Sequence, residues 1–210
     1  MTLLRHVRLL SLSAAGVAAL GAQPAPPPAT LYTEFQQPPP PSVMDSIRAE
    51  SEAILGHMGI GLEWRSLAGA RGNEVSLQLA VVRFQGRCDV NSLSPHRVQP
   101  GALGWTHESD GVILPFAEID CDRIRNFIQV DLLGVPAGKR ELVFGRAVGR
   151  VLAHELYHIL ARSPHHSTDG VGKAVYAAQD LLVGHFLFDA RQSEQLRSCQ
   201  AHSESAEPVR

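Results

Sequence analysis

Val151-Leu152-Ala153-His154-Glu155-Leu156-Tyr157-His158-Ile159-Leu160 is the stretch on which the reading of the whole chain turns. It sets a His-Glu-x-x-His pattern inside an apolar run whose members Leu142, Phe144, Val148, Leu152, Leu156 and Ile159 recur mostly at three- and four-residue steps. Residues four apart share one face of an α-helix, so His154 and His158 offer two imidazoles to a single cation. Glu155 falls about 100° further round, beside such a cation rather than squarely facing it. There a carboxylate can take a proton from a water whose pKa a zinc ion lowers to roughly 7. The expected chemistry is zinc-dependent hydrolysis, with His154 and His158 as ligands and Glu155 as general base. The competing reading is a core helix whose histidines are satisfied by ordinary hydrogen bonds.

No proline interrupts the chain from Glu141 to Ser163, and Pro164 then stops the helix. Gly145 and Gly149 lie four apart and cost about 1 kcal/mol each against alanine. Such a small-residue stripe suits a helix lying close against a sheet.

Working outward, Met1 to Arg8 is short and basic, and an apolar, small-residue run follows to Ala22. The run is too short to span a bilayer, and Leu20-Gly21-Ala22 suits cleavage, so residues 1–22 read as a secretory signal peptide. No later segment is apolar enough to span, which leaves no membrane contact after cleavage. The chain has 19 Lys and Arg against 21 acids; removing Arg5 and Arg8 leaves 17 against 21, a net charge of −4. That excess of acid is not the electrostatic footprint of a nucleic-acid binder. Cys88, Cys121 and Cys199 form no C-x-x-C pattern. In an oxidising compartment Cys88–Cys121 is the favoured pair, because both fall in the expected core, with Cys199 left over.

Residues 23–42 carry two proline clusters and read as a semi-rigid polyproline linker. The folded domain is expected over 43–199, with a polar, frayed tail at 200–210. Its first helix starts near Val43 and ends at Gly59. Strands are expected over 60–64, 74–85, 102–107 and 112–116, with Pro115 confining the last to an edge. Residues 121–133 fit either a helix or partly extended chain, and a final helix is expected over 181–196.

This order resembles the catalytic domain of the metzincin clan of zinc metallopeptidases, particularly small secreted bacterial relatives of matrixins. The resemblance covers roughly residues 43–197, and His154, Glu155 and His158 carry its specific motif. It implies an α+β, zincin-like fold: a small mixed twisted sheet, an N-terminal helix, the motif helix and a C-terminal helix. It also implies a third histidine beyond a turn. The clan's HExxHxxGxxH would place the turn glycine and that histidine at Ala161 and Pro164, so a slightly longer loop would deliver His166, or else His165. His185 and the acids Asp169, Asp180 and Glu194 are the other candidates. Methionine occurs only at 1, 44 and 58, so no Met-turn is present, and Val175-Tyr176-Ala177 would have to form the floor.

Tyr176 either stabilises an oxyanion or packs, Tyr157 belongs to the core or supports a ligand histidine from behind, and Asp169 either orients a ligand histidine or forms a turn. The implied function is a secreted zinc metalloendopeptidase acting on a peptide or protein, which could add as a strand to the edge at 102–107. The alternative is a secreted zinc-binding or interaction module on the same fold that hydrolyses nothing. The sequence leaves the oligomeric state open.

Overall fold

The computed structural model describes residues 27–98, 101–182 and 184–205; the stretch read as a signal peptide lies outside them. Five strands form one sheet: β1 (Ala29–Phe35), β2 (Leu62–Ser66), β3 (Leu79–Gln85), β4 (Gly104–Ser109) and β5 (Val112–Asp120). Their spatial order is β2-β1-β3-β5-β4, parallel except for β4, which runs antiparallel along β5 as an edge. The helices are α1 (Pro41–Gly56), α2 (Cys121–Gly134), α3 (Arg140–Leu160), α4 (Ala178–Leu182) and α5 (Ala190–Ser205). The architecture is the α+β, zincin-like arrangement that the sequence implied.

The stretch read as a polyproline linker needs correction. Between its proline clusters, Ala29-Thr-Leu-Tyr-Thr-Glu-Phe is β1, with parallel neighbours on both sides. Both faces of the strand are covered: Leu31 buries on one, while Tyr32 packs on the other beneath the Arg65 guanidinium. The prolines that dominate the local composition flank the strand, so none removes a ladder hydrogen bond. Pro41 then opens α1 at its first turn, where a missing N–H costs nothing.

β5 also runs further than expected. Pro115 precedes Phe116, where pairing with β3 begins, and on the other side it falls at the register shift between Thr106 and Glu108 of β4. The strand is therefore interior only past its proline. Residues 74–78, expected as strand, precede β3 and are irregular.

The ambiguous stretch after β5 is helical. The Asp120 carboxylate caps α2 by accepting from the Arg123 amide at 2.9 Å. Cys88 and Cys121 form a disulfide, as favoured, tying the loop after β3 to the first turn of α2. Cys199 is free.

The single final helix expected over 181–196 is two helices. Asp189, which fitted the helical stripe, is instead the residue before α5, and its Oδ1 accepts from the Gln192 amide at 2.8 Å. Residues 200–205 of the supposed tail belong to α5.

α3 crosses the middle of the molecule and is buried from Ala147 to Leu160. Its glycine stripe faces α1, not the sheet. A Cβ at Gly145 would sit 2.6 Å from the Val43 carbonyl oxygen, and one at Gly149 would sit 2.8 Å from that of Ile47. The stripe brings α1 backbone to backbone with the helix that carries the motif. No helix of the described residues is long and apolar enough to cross a membrane.

Candidate metal centre

His154 and His158 lie one turn apart on α3, with their Nε2 atoms 3.1 Å from each other and 7 % and 6 % of their surface exposed. Bound to zinc at about 2.0–2.1 Å, two nitrogens of a tetrahedral shell would be about 3.4 Å apart. The two rings thus already converge on one point. Their other nitrogens are fixed by the backbone: His154 Nδ1 meets the Val171 carbonyl at 2.8 Å, and His158 Nδ1 meets the Ser163 carbonyl at 2.6 Å. A carbonyl can only accept, so each Nδ1 carries the proton and each Nε2 keeps its lone pair for the shared point.

His166 completes the cluster. Its ring centroid is 5.2 Å from that of His154 and 4.8 Å from that of His158, and one nitrogen from each of the three residues falls within 4.8 Å of the others. Burial lowers the pKa of His154 to about 3, with the neighbouring His158 and His166 adding to the effect. Burial likewise lowers those of His158 and His166. Three neutral imidazoles on one point are the donor set a divalent zinc ion takes, so the residues present fit the metal.

The turn between the motif and His166 explains the longer loop. Ala161 stays right-handed, and Arg162 adopts φ 48°, the left-handed position that the resemblance had placed at 161. Ser163 then folds back, its amide donating to the His158 carbonyl at 3.1 Å while its own carbonyl holds the ring of the same residue. Gly170, at φ 67°, packs so tightly that a Cβ would lie 2.1 Å from the Leu187 carbonyl oxygen. That close approach sets the carbonyl of Val171 behind His154.

The other ligand candidates are elsewhere. His165 and His185 lie outside the cluster, and Glu194 pairs with Arg197 on the surface of α5. Asp180 is engaged by Lys173, and Asp169 accepts from Thr168; backbone carbonyls, not Asp169, orient the ligand rings. Tyr157 is core, as expected, with its hydroxyl donating to Gln195. The Tyr176 hydroxyl donates to the Val171 carbonyl and lies 3.1 Å from His154 Nδ1. It therefore stands behind the His154 ring, on the side away from Nε2.

Glu155 is 4 % exposed, and burial raises its pKa to about 7, offset in part by a hydrogen bond from Thr106. Thr106 belongs to the edge strand, and its hydroxyl lies 2.8 Å from Glu155 Oε2 and 3.2 Å from the Glu155 carbonyl oxygen. Two residues earlier, a Cβ on Gly104 would sit 2.9 Å from Glu155 Oε1. Neither Thr106 nor Gly104 announces itself in the sequence, because only the docking of β4 on α3 brings them there. A carboxylate titrating near neutrality, at the edge of a cleft of about 600 Å³ that the histidines also line, has the properties of a general base.

No protein-family model matches this sequence, and no curated protein is similar to it. Its structure is similar to the crystal structure of archaemetzincin from Methanopyrus kandleri, with a TM-score of 0.52 at 12 % identity, over 83 % of this chain and 96 % of that one. The two share a fold.

Proposed function

We propose that this chain is a secreted zinc-dependent peptidase, with His154, His158 and His166 as metal ligands and Glu155 as the general base. The observation that carries the reading is the convergence of two backbone-locked imidazoles, Nε2 to Nε2 at 3.1 Å, beside a buried carboxylate in an open cleft. Export is supported by the Cys88–Cys121 disulfide, which persists in an oxidising compartment.

The bound cation would supply a Lewis acid that polarises the scissile carbonyl and lowers the pKa of a water. This chain's residues supply the rest. Glu155 takes a proton from the water as its oxygen attacks the carbonyl carbon. It then hands that proton to the departing amine as the C–N bond breaks. Thr106 holds the carboxylate in place for both transfers. The outer rim of β4, unpaired on the cleft side, offers main-chain hydrogen bonds to an extended substrate.

The test is metal content and cleavage together. The purified protein should carry one zinc per chain and cleave peptides in a library, and a chelator should stop it. Glu155→Gln should keep the zinc and lose cleavage. His154→Ala and His158→Ala should lose both. Zinc without cleavage by any form would favour a metal-binding module, and no zinc at all would end the assignment.

A further inference from the structure

α3 contains an arginine that is wholly buried. Arg150 sits one turn before His154, on the same helical face, with 0 % of its surface exposed. Its Nε lies 2.6 Å from Glu50 of α1, and Arg146 approaches the same carboxylate at 3.5 Å. A buried guanidinium without such a partner would be strongly destabilising, so Glu50 makes the charge tolerable. Its remaining donors turn the other way. One reaches the Asp180 carbonyl at 2.8 Å and another the Gly184 carbonyl at 3.5 Å, while the Phe186 ring lies 5.4 Å from the guanidinium carbon.

Those three residues belong to a stretch that begins on the cleft. At its start Lys173, Ala174, Val175 and Tyr176 line the cleft directly. The Asp180 carboxylate ties this start to the clamped part, accepting from the Ala177 amide and from Lys173 Nζ, each at 2.7 Å. Tyr176 closes the circuit: its ring packs on those of Phe186 and His154, and its hydroxyl meets the Val171 carbonyl. The chain of contacts runs from Glu50 through Arg150 to Asp180 and Phe186, then to Tyr176 and the back of His154.

We propose that Arg150 is a positioning residue: neutralised by Glu50, it holds Asp180, Gly184 and Phe186 on α3 so that Tyr176 stays docked behind His154. The proposal rests on the metal-site reading for its effect on zinc, but its structural half stands without it.

The experiment compares Arg150→Leu paired with Glu50→Leu against the native protein and Leu31→Ala, a core change remote from that stretch. Removing both charges avoids stranding a buried carboxylate, so the double variant keeps the fold. Two readouts are taken: amide hydrogen exchange over 173–186 in the metal-free protein, and zinc affinity by competition with a chelator. The double variant should lose at least tenfold protection across that stretch and about 10–100-fold in zinc affinity, whereas Leu31→Ala should change neither selectively. Native protection over 173–186 in the folded double variant overturns the proposal, whether or not the native protein binds zinc. Lost protection with unchanged zinc affinity overturns its extension to His154. A protein that binds no zinc fails the functional reading while leaving the exchange result to decide the clamp.

Discussion

Thr106 Oγ1 lies 2.8 Å from Glu155 Oε2, joining the edge strand to a carboxylate 49 positions later on the motif helix. The hydroxyl donates to the ionised form, so its loss raises the pKa of Glu155. Thr106→Val should therefore move the acid limb of the pH–rate profile to higher pH and cut kcat/KM at neutrality several-fold. Thr106→Ser should restore both. An unmoved limb would mean that the hydrogen bond does not govern the base.

Arg162 holds φ 48°, a conformation that costs a non-glycine residue about 1 kcal/mol. Arg162→Gly should stabilise the protein by about 0.5–1 kcal/mol, a rise in Tm of roughly 1–4 °C for a domain of this size. Ala161→Gly, which restores the familiar glycine position, should instead lower Tm, because that residue is right-handed. Thermal unfolding of the two variants distinguishes where the turn actually reverses.

Gly149 is the sharpest test of the helix pairing. On an exposed helix, glycine to alanine gains about 1 kcal/mol. Here the new methyl would meet the Ile47 carbonyl oxygen at 2.8 Å, and neither backbone can rotate away. Gly149→Ala should cost about 1–3 kcal/mol in urea unfolding. A stabilised variant would show that α1 and α3 are further apart than described.

In the metal-free protein the clustered histidines, all lowered, and Glu155, raised, titrate in opposed senses. His154, lowered to about 3 from its ordinary 6.5, leaves the folded chain short of a proton that the unfolded chain takes up, so it destabilises as pH falls below about 6.5. Glu155, raised to about 7, takes up its proton in the folded state first and stabilises as pH falls below that value. The two slopes oppose each other between about pH 6.5 and 4.5. Glu155→Gln removes the compensating one. Chelated Glu155→Gln protein should lose on the order of 1 kcal/mol more than chelated native protein between pH 6.5 and 5, measured by urea unfolding. Equal slopes would rule out the opposition.

The motif helix was readable in advance because its evidence is local. Apolar steps, absent prolines and the four-residue spacing of His154 and His158 all act within one turn of each other, and α3 ends within a few residues of where Pro164 requires. β1 escaped notice for the converse reason. Its seven residues are short, prolines crowd both ends, and the strand is settled only when β2 and β3 pair on either side. The final helix was overextended because Asp189 fits a helical stripe as well as it fits a cap, and only the geometry of its Oδ1 distinguishes them.

What the sequence alone determined is the pair of imidazoles, the carboxylate between them and the class of fold that must bury such a helix. The glycines at 145 and 149 likewise signalled a close approach, though not to which neighbour. Tertiary structure decided the rest: His166 in the cluster, Val171 and Ser163 behind the rings, Thr106 against Glu155 and Glu50 against Arg150. The physical reason is reach. Helical periodicity fixes directions over about four residues. A partner delivered by a loop or an edge strand depends on turn conformation and strand register, which are settled only when the whole core closes.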